Sequence, residues 1–152
     1  MFQPLAEEDL PDDLRVLLTL WRARAGGRRF PPPEAFTADT LQPWFDRLHL
    51  VELLDDGDLF FRLFAGKSRA LLGYDMTGRR VSELSLNERA MTSARAYRRC
   101  LTLGRPMFDC VPARVDDNRA HPAYDRLLLP LGSTARANML IVCLAFRDLA
   151  GR

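Results

Sequence analysis

The sequence predicts a small α+β domain, one sheet enclosed by helices, and three observations predict it. Two apolar runs, Leu48 to Leu54 and Leu59 to Phe64, flank Asp55-Asp56-Gly57-Asp58. An Asp-Gly step between strand-like runs marks a hairpin, because glycine supplies the positive φ of a tight reversal. The second run leads into Ala65-Gly66-Lys67-Ser68-Arg69-Ala70-Leu71-Leu72, a short helical segment closed by Gly73. Finally, the strand-like runs are apolar at successive rather than alternate positions, as in Leu59-Phe60-Phe61-Arg62-Leu63-Phe64, Leu127 to Leu131 and Met139 to Phe146. Side chains alternate between faces along a strand, so such runs are buried on both sides and need a layer over each.

The 152 residues suffice for one domain with a substantial core, and the charged and apolar fractions are those of a globular protein. A formal net charge of +2 gives no global field for nucleic acid. Cys100, Cys110 and Cys143 are odd in number and widely spaced, which suits buried reduced thiols rather than a disulfide framework. There is no basic start followed by an apolar run, and no apolar stretch of about 18 uncharged residues. A cytoplasmic protein with neither signal peptide nor membrane span is expected.

Along the chain, residues 1–9 lack periodicity and are expected as a flexible lead-in to a single domain over 10–147, with a short tail at 148–152. Apolar residues at 10, 14, 17, 18 and 21 define one face of a first helix. Pro11, Asp12 and Asp13 suit its start, and Gly26-Gly27 stops it. Leu14, Leu17, Leu18 and Trp21 form the stripe that would cover the second sheet face, either in the same chain or across a dimer. A connector over 31–47 begins with the stiff Pro31-Pro32-Pro33 and continues into a short irregular helix, with Leu41, Trp44 and Phe45 turned inward. Ser85-Leu86-Asn87-Glu88 matches a capping box, so the longest helix should start at Leu86 and end at Gly104, with Pro106 beyond. Met107 to Val115 reads as a strand, Asp116 to Pro122 as a polar loop, and Tyr124–Leu131 and Asn138–Arg147 as the last two strands.

This order resembles the PAS domain: a five-stranded antiparallel sheet with helices inserted between the second and third strands. Its residues are similar to those of the short stand-alone PAS proteins of alphaproteobacteria. The likeness is carried by Leu17-Leu18-Thr19-Leu20-Trp21-Arg22, Arg62-Leu63-Phe64-Ala65-Gly66, Gly73-Tyr74-Asp75-Met76-Thr77-Gly78-Arg79 and Tyr124-Asp125-Arg126-Leu127-Leu128-Leu129-Pro130-Leu131, together with Gly104-Arg105-Pro106. The resemblance implies a sensory or regulatory module without an output domain of its own. Such a module would bind a small molecule or a protein between sheet and helices and signal by contact with a protein partner or as a homodimer. The other reading is a structural dimerisation protein with a filled core. Fold alone does not decide function.

Other motifs carry less. Gly66-Lys67-Ser68 imitates the end of a phosphate loop, but Phe61 stands where that loop needs its first glycine. His49 and His121 have no companions at metal-ligand spacing, and both read as packing or surface residues. Cys110 with His121 is a pair on neighbouring segments, and alternation with Phe108 buries the thiol. The Asn-Cys-Arg motif of flavin-adduct PAS proteins is absent, and residues 86–103 hold no histidine for haem, which leaves any cofactor unknown. The arginines at 22–29, at 79 and 80, and at 95, 98 and 99 have neither interleaved aromatics nor a helix-turn-helix pattern. No set of acid, base and nucleophile suggests an enzyme. The pocket candidates are Phe61 or Arg62, Tyr97, Phe108, Cys110, Leu128 and Val142. A one-residue register error would move any of them to the wrong face. Arg62 has a plainer reading, an arginine that packs its stem and reaches an acidic neighbour.

Overall fold

A computed structural model describes residues 2–83, 88–116 and 119–147. In chain order the elements are β1 (Gln3–Pro4), α1 (Asp12–Ala25), α2 (Ala38–Leu41), β2 (Leu48–Leu53), β3 (Leu59–Leu63) and α3 (Gly66–Leu72). They continue with α4 (Glu88–Leu103), β4 (Met107–Val111), β5 (Arg114–Asp116), β6 (Arg119–His121), β7 (Tyr124–Leu131) and β8 (Met139–Phe146). The main sheet has six strands in the order β1-β4-β7-β8-β2-β3, and β5 pairs with β6 in a separate hairpin. Every pairing is antiparallel. Without β1, the sheet has the expected five strands, with α3 and α4 between the second and third.

Three segments depart from the sequence reading. The lead-in is not featureless: Gln3 pairs with Cys110 and Pro4 with Asp109, which adds a sixth strand at the edge. The strand expected from Met107 to Val115 stops at Val111; its last residues turn instead into β5, which pairs with β6 from the segment expected as a polar loop, and Val115 faces solvent. Phe45 is also exposed, because residues 42–47 wind as a 3-10 helix with a tighter period that turns Trp44 inward and Phe45 outward. The capping box at 85–88 lies outside the described residues. At the other end of α4, Gly104 takes φ +65° and donates its N–H to Cys100 O at 2.9 Å, a left-handed stop that favours glycine.

Both faces of the sheet are covered within one chain. Leu127, Leu128, Leu129 and Leu131 on β7 and Leu140 to Leu144 on β8 are all buried. The stripe Leu14, Leu17, Leu18 and Trp21 lies against β7 and β8 of its own chain, with Leu14 and Leu17 at 0% exposure. These four were candidates for a dimer interface and are not on the surface. The sheet's outer face is apolar, and α1 buries its stripe there instead. Polar bonds fix the helix in place. Trp21 Nε1–H donates to Pro130 O at 2.9 Å, and Trp44 Nε1–H to Asp13 O at 3.0 Å. Arg47 donates to Leu144 O and pairs with Asp13, tying the connector to both layers.

Trp21→Ala removes a buried ring and orphans the Pro130 carbonyl, so we expect a loss of about 3–5 kcal/mol. Urea denaturation reads this directly. Because the ring is internal, any change in sedimentation should accompany unfolding and not occur in the folded state.

Candidate functional site

The side chains on the helix side of the sheet follow from the pairing register. His49 is opposite Val142, Phe61 opposite Val51 and Tyr124 opposite Phe146. Alternation therefore puts His49, Val51, Phe61, Tyr124, Arg126, Leu128, Val142 and Phe146 on one face. Under α4, Leu128 and Val142 are sealed, at 1% and 0% exposure, with Cys100 closing the layer above. Toward β3 and the β5–β6 hairpin the helices stand away, leaving a cavity of about 120 Å³. The sheet contributes His49, Phe61, Tyr124 and Phe146 to its walls, and α3 contributes Ser68 and Leu71. Ala90, Ser93, Ala94 and Tyr97 come from α4, and Arg114 and His121 from the hairpin; Phe64, Tyr74, Met76, Val81 and Pro122 complete the lining.

Of the pocket candidates, Phe61 and Tyr97 line this cavity. Leu128 and Val142 share the face but pack beneath α4, away from the space. Phe108 and Cys110 do not belong here: Met107 pairs with Leu128 and Asp109 with Arg126, so the even-numbered side chains of β4 point to the opposite face. Arg62 points away from Phe61 and forms an ion pair with Glu52 at 2.9 Å, the acidic neighbour expected of its plainer reading. His49, Phe64, Ser68, Tyr74, Ser93, Tyr124 and Phe146 were not among the pocket candidates. For the strand residues the missing signal was register, which the pairing of Tyr124 with Phe146 supplies.

The cavity is aromatic and its polar atoms are few. His49 stacks on Phe64, with centroids 4.4 Å apart and planes 14° from parallel, and Phe61 meets both edge-on. Thr77 Oγ1 accepts the Phe64 N–H at 3.0 Å, so the loop after α3 fixes the chain that carries this ring. The Ala65 N–H donates to His49 Nδ1 at 2.9 Å, joining β2 to the start of α3. In a neutral imidazole that leaves the proton on Nε2. Burial, and secondarily the Arg126 charge, pulls the His49 pKa down to about 3.

Beside the cavity, Arg126 is 1% exposed and forms a fork with Asp109, Nε and Nη2 each 2.8 Å from a carboxylate oxygen. Burial opposes its charge, but the Asp109 carboxylate outweighs this and holds the guanidinium above its ordinary pKa. Its Cζ also lies 4.7 Å from the centroid of the Phe2 ring and 5.6 Å from that of Tyr97. Burial raises the Tyr97 phenol to about 12, so it stays protonated. The Cys100 and Cys143 thiols are also pushed up to about 12 by burial, which leaves neither as a nucleophile. Among the described residues, no group of three or more His, Cys, Asp and Glu is placed to hold a metal ion.

Two predictions follow from these charges. Asp109→Ala strands a buried guanidinium and should lower stability by about 3–5 kcal/mol in chemical denaturation. The folded pKa of His49 lies below its unfolded value near 6.5, so its contribution is complete above pH 6.5 and is lost as pH falls toward 3. Between pH 7.5 and 5 this amounts to about 2 kcal/mol. The loss should appear as a stability difference that His49→Asn removes.

No curated protein matches the chain. A family model described as a PAS domain matches residues 11–145, from the start of α1 to the end of β8. The strand order, with α3 and α4 inserted between the second and third strands of the core sheet, agrees with that match. On these grounds the chain belongs to the PAS domain family.

Proposed function

We propose that this PAS domain is a sensory or regulatory module that binds a small molecule between sheet and helices and signals by contact with a partner protein in the cytoplasm. The observation that carries the reading is the partly open cavity of about 120 Å³ between the sheet and the helices α3 and α4, lined by aromatic rings. A purely structural role would favour packing this space to interior density, since an empty void loses contacts on every wall. Membership of a family whose members are generally sensory supports the same reading. Catalysis has less support, because the thiols are buried and protonated and the histidine on the cavity wall is committed through Nδ1 to a backbone amide. Among the described residues no helix is long and apolar enough to cross a membrane.

A thermal-shift screen of small metabolites tests the ligand half of the proposal. A molecule present at 100 times its Kd should stabilise the fold by about 2.7 kcal/mol. Ala94→Phe puts a ring into the space from α4 and should abolish that shift while the protein remains folded. No stabilisation by any molecule would count against ligand binding, as would an unchanged shift in the filled variant.

A further inference from the structure

We propose that the cavity takes a monocarboxylate with a single-ring apolar body, its carboxylate received by Arg114 and His121 on the β5–β6 hairpin. This rests on the ligand-binding reading above and adds the chemical class. Among the described residues, Arg114 Nε is the only buried side-chain nitrogen or oxygen without a hydrogen-bond partner. It belongs to a side chain on the cavity wall. Arg114 takes part in other interactions, and Nε is the atom they do not satisfy. An unmade donor in a covered site is costly, so an acceptor supplied from the cavity gains more there than on an open surface.

The hairpin brings a second polar ring beside this donor. Arg114 pairs with His121 across the β5–β6 ladder, and residues directly opposite in such a ladder share a face with Cβ atoms about 4.5–5.5 Å apart. Both side chains line the cavity, so one guanidinium and one imidazole border the same space. A carboxylate, with two acceptor oxygens, spans such a pair. Nε is covered as well as unmet, so the guanidinium must turn toward the cavity to engage a ligand. The hairpin can follow that turn, because it is a separate two-stranded sheet outside the main one.

Charge selects an anion. A guanidinium keeps its proton, and the lining holds no aspartate or glutamate. A cation would therefore face a like charge with no carboxylate on the wall to offset it. A neutral carbonyl can accept from Nε–H, but a bond charged on both sides is stronger. Size sets the ring count: an apolar cavity of roughly 150 Å³ holds one benzene, and this one measures about 120 Å³. Phe61 and Phe64 stand at 86° to one another and Tyr97 meets Phe61 at 80°, which offers a flat ring both faces and edges.

The test uses benzoate, benzamide and benzylamine on the full chain, read by melting temperature, by affinity and by the Arg114 Nε–H resonance in an isotope-labelled sample. Benzamide has the shape of benzoate without its charge. Benzoate should raise the melting temperature, move the Nε–H resonance downfield and bind at least about tenfold tighter than benzamide, with benzylamine weaker still. Arg114→Gln should weaken benzoate roughly tenfold to a hundredfold while changing benzamide by less than about threefold. His121→Gln should weaken benzoate about threefold. If Arg114→Gln does not fold, the preference for benzoate over benzamide and the wild-type Nε–H shift decide the matter.

Benzamide or benzylamine binding as tightly as benzoate overturns the class and leaves the cavity as a ligand site. So does a bound benzoate that leaves the Nε–H resonance unmoved, an affinity for benzoate unchanged in either variant, or a loss in Arg114→Gln that benzamide shares equally. If none of the three binds while a metabolite from the broader screen does, the class falls alone. If nothing binds at all, both readings fall.

Discussion

The fold depends on a central pair of strands that water cannot reach from either side. From Asp125 to Leu131 on β7 every residue is buried, and β8 is buried from Leu140 to Leu144. A strand of this kind is unstable as a surface, so something apolar must lie against each face. On one side that is α1, held by Trp21 and by the Arg47–Asp13 pair. On the other it is α4 together with α3. The molecule is thus three layers built in one chain, and the cavity exists where the second cover is incomplete.

Much of this was legible in the residues. The Asp-Gly hairpin, the glycine stop after the long helix and the two-sided apolar runs are local signals, and each determined an element. Legibility failed where long-range pairing decides. Gln3-Pro4 has no pattern of its own and becomes a strand only because the edge of β4 is open to it. Residues 116–122 are polar enough to read as loop, and Arg114 and Val115 read as the end of the preceding strand, because only their pairing with His121 and Ala120 makes them a separate hairpin arm. Phe108 and Cys110 were assigned to the wrong face for a related reason: alternation tells which residues share a side, and only the pairing of Asp109 with Arg126 tells which side that is. The sequence leaves Phe61 and Arg62 as alternatives, and pairing with Val51 is what places Phe61 on the cavity side; Tyr97, on a helix, does not depend on strand register.

The cavity's polar residues show why site chemistry is harder to read than fold. His49 reads in sequence as a lone histidine in a strand, more often a packing residue than a functional one, and it does pack, stacked on Phe64. Its second role comes from a backbone amide 16 positions later that takes one ring nitrogen and so defines the other. Arg126 is similar. Within Tyr124-Asp125-Arg126-Leu127 it has no visible reason to be buried, until Asp109 arrives from the neighbouring strand to neutralise it.

The outermost strands have a further consequence. At one border of the sheet, Phe60 bridges Arg80, and Phe61 exchanges backbone bonds with Gly78 and Arg79, so β3 is capped by the loop that follows α3. At the other, Gln3 and Pro4 lie along β4, and Pro4 has no amide to offer a further strand. The amino-terminal residues thus act as a guard rail: trimming them would bare a ladder of unmet amides and carbonyls on which a second polypeptide can zip, converting a self-contained fold into a seed for association.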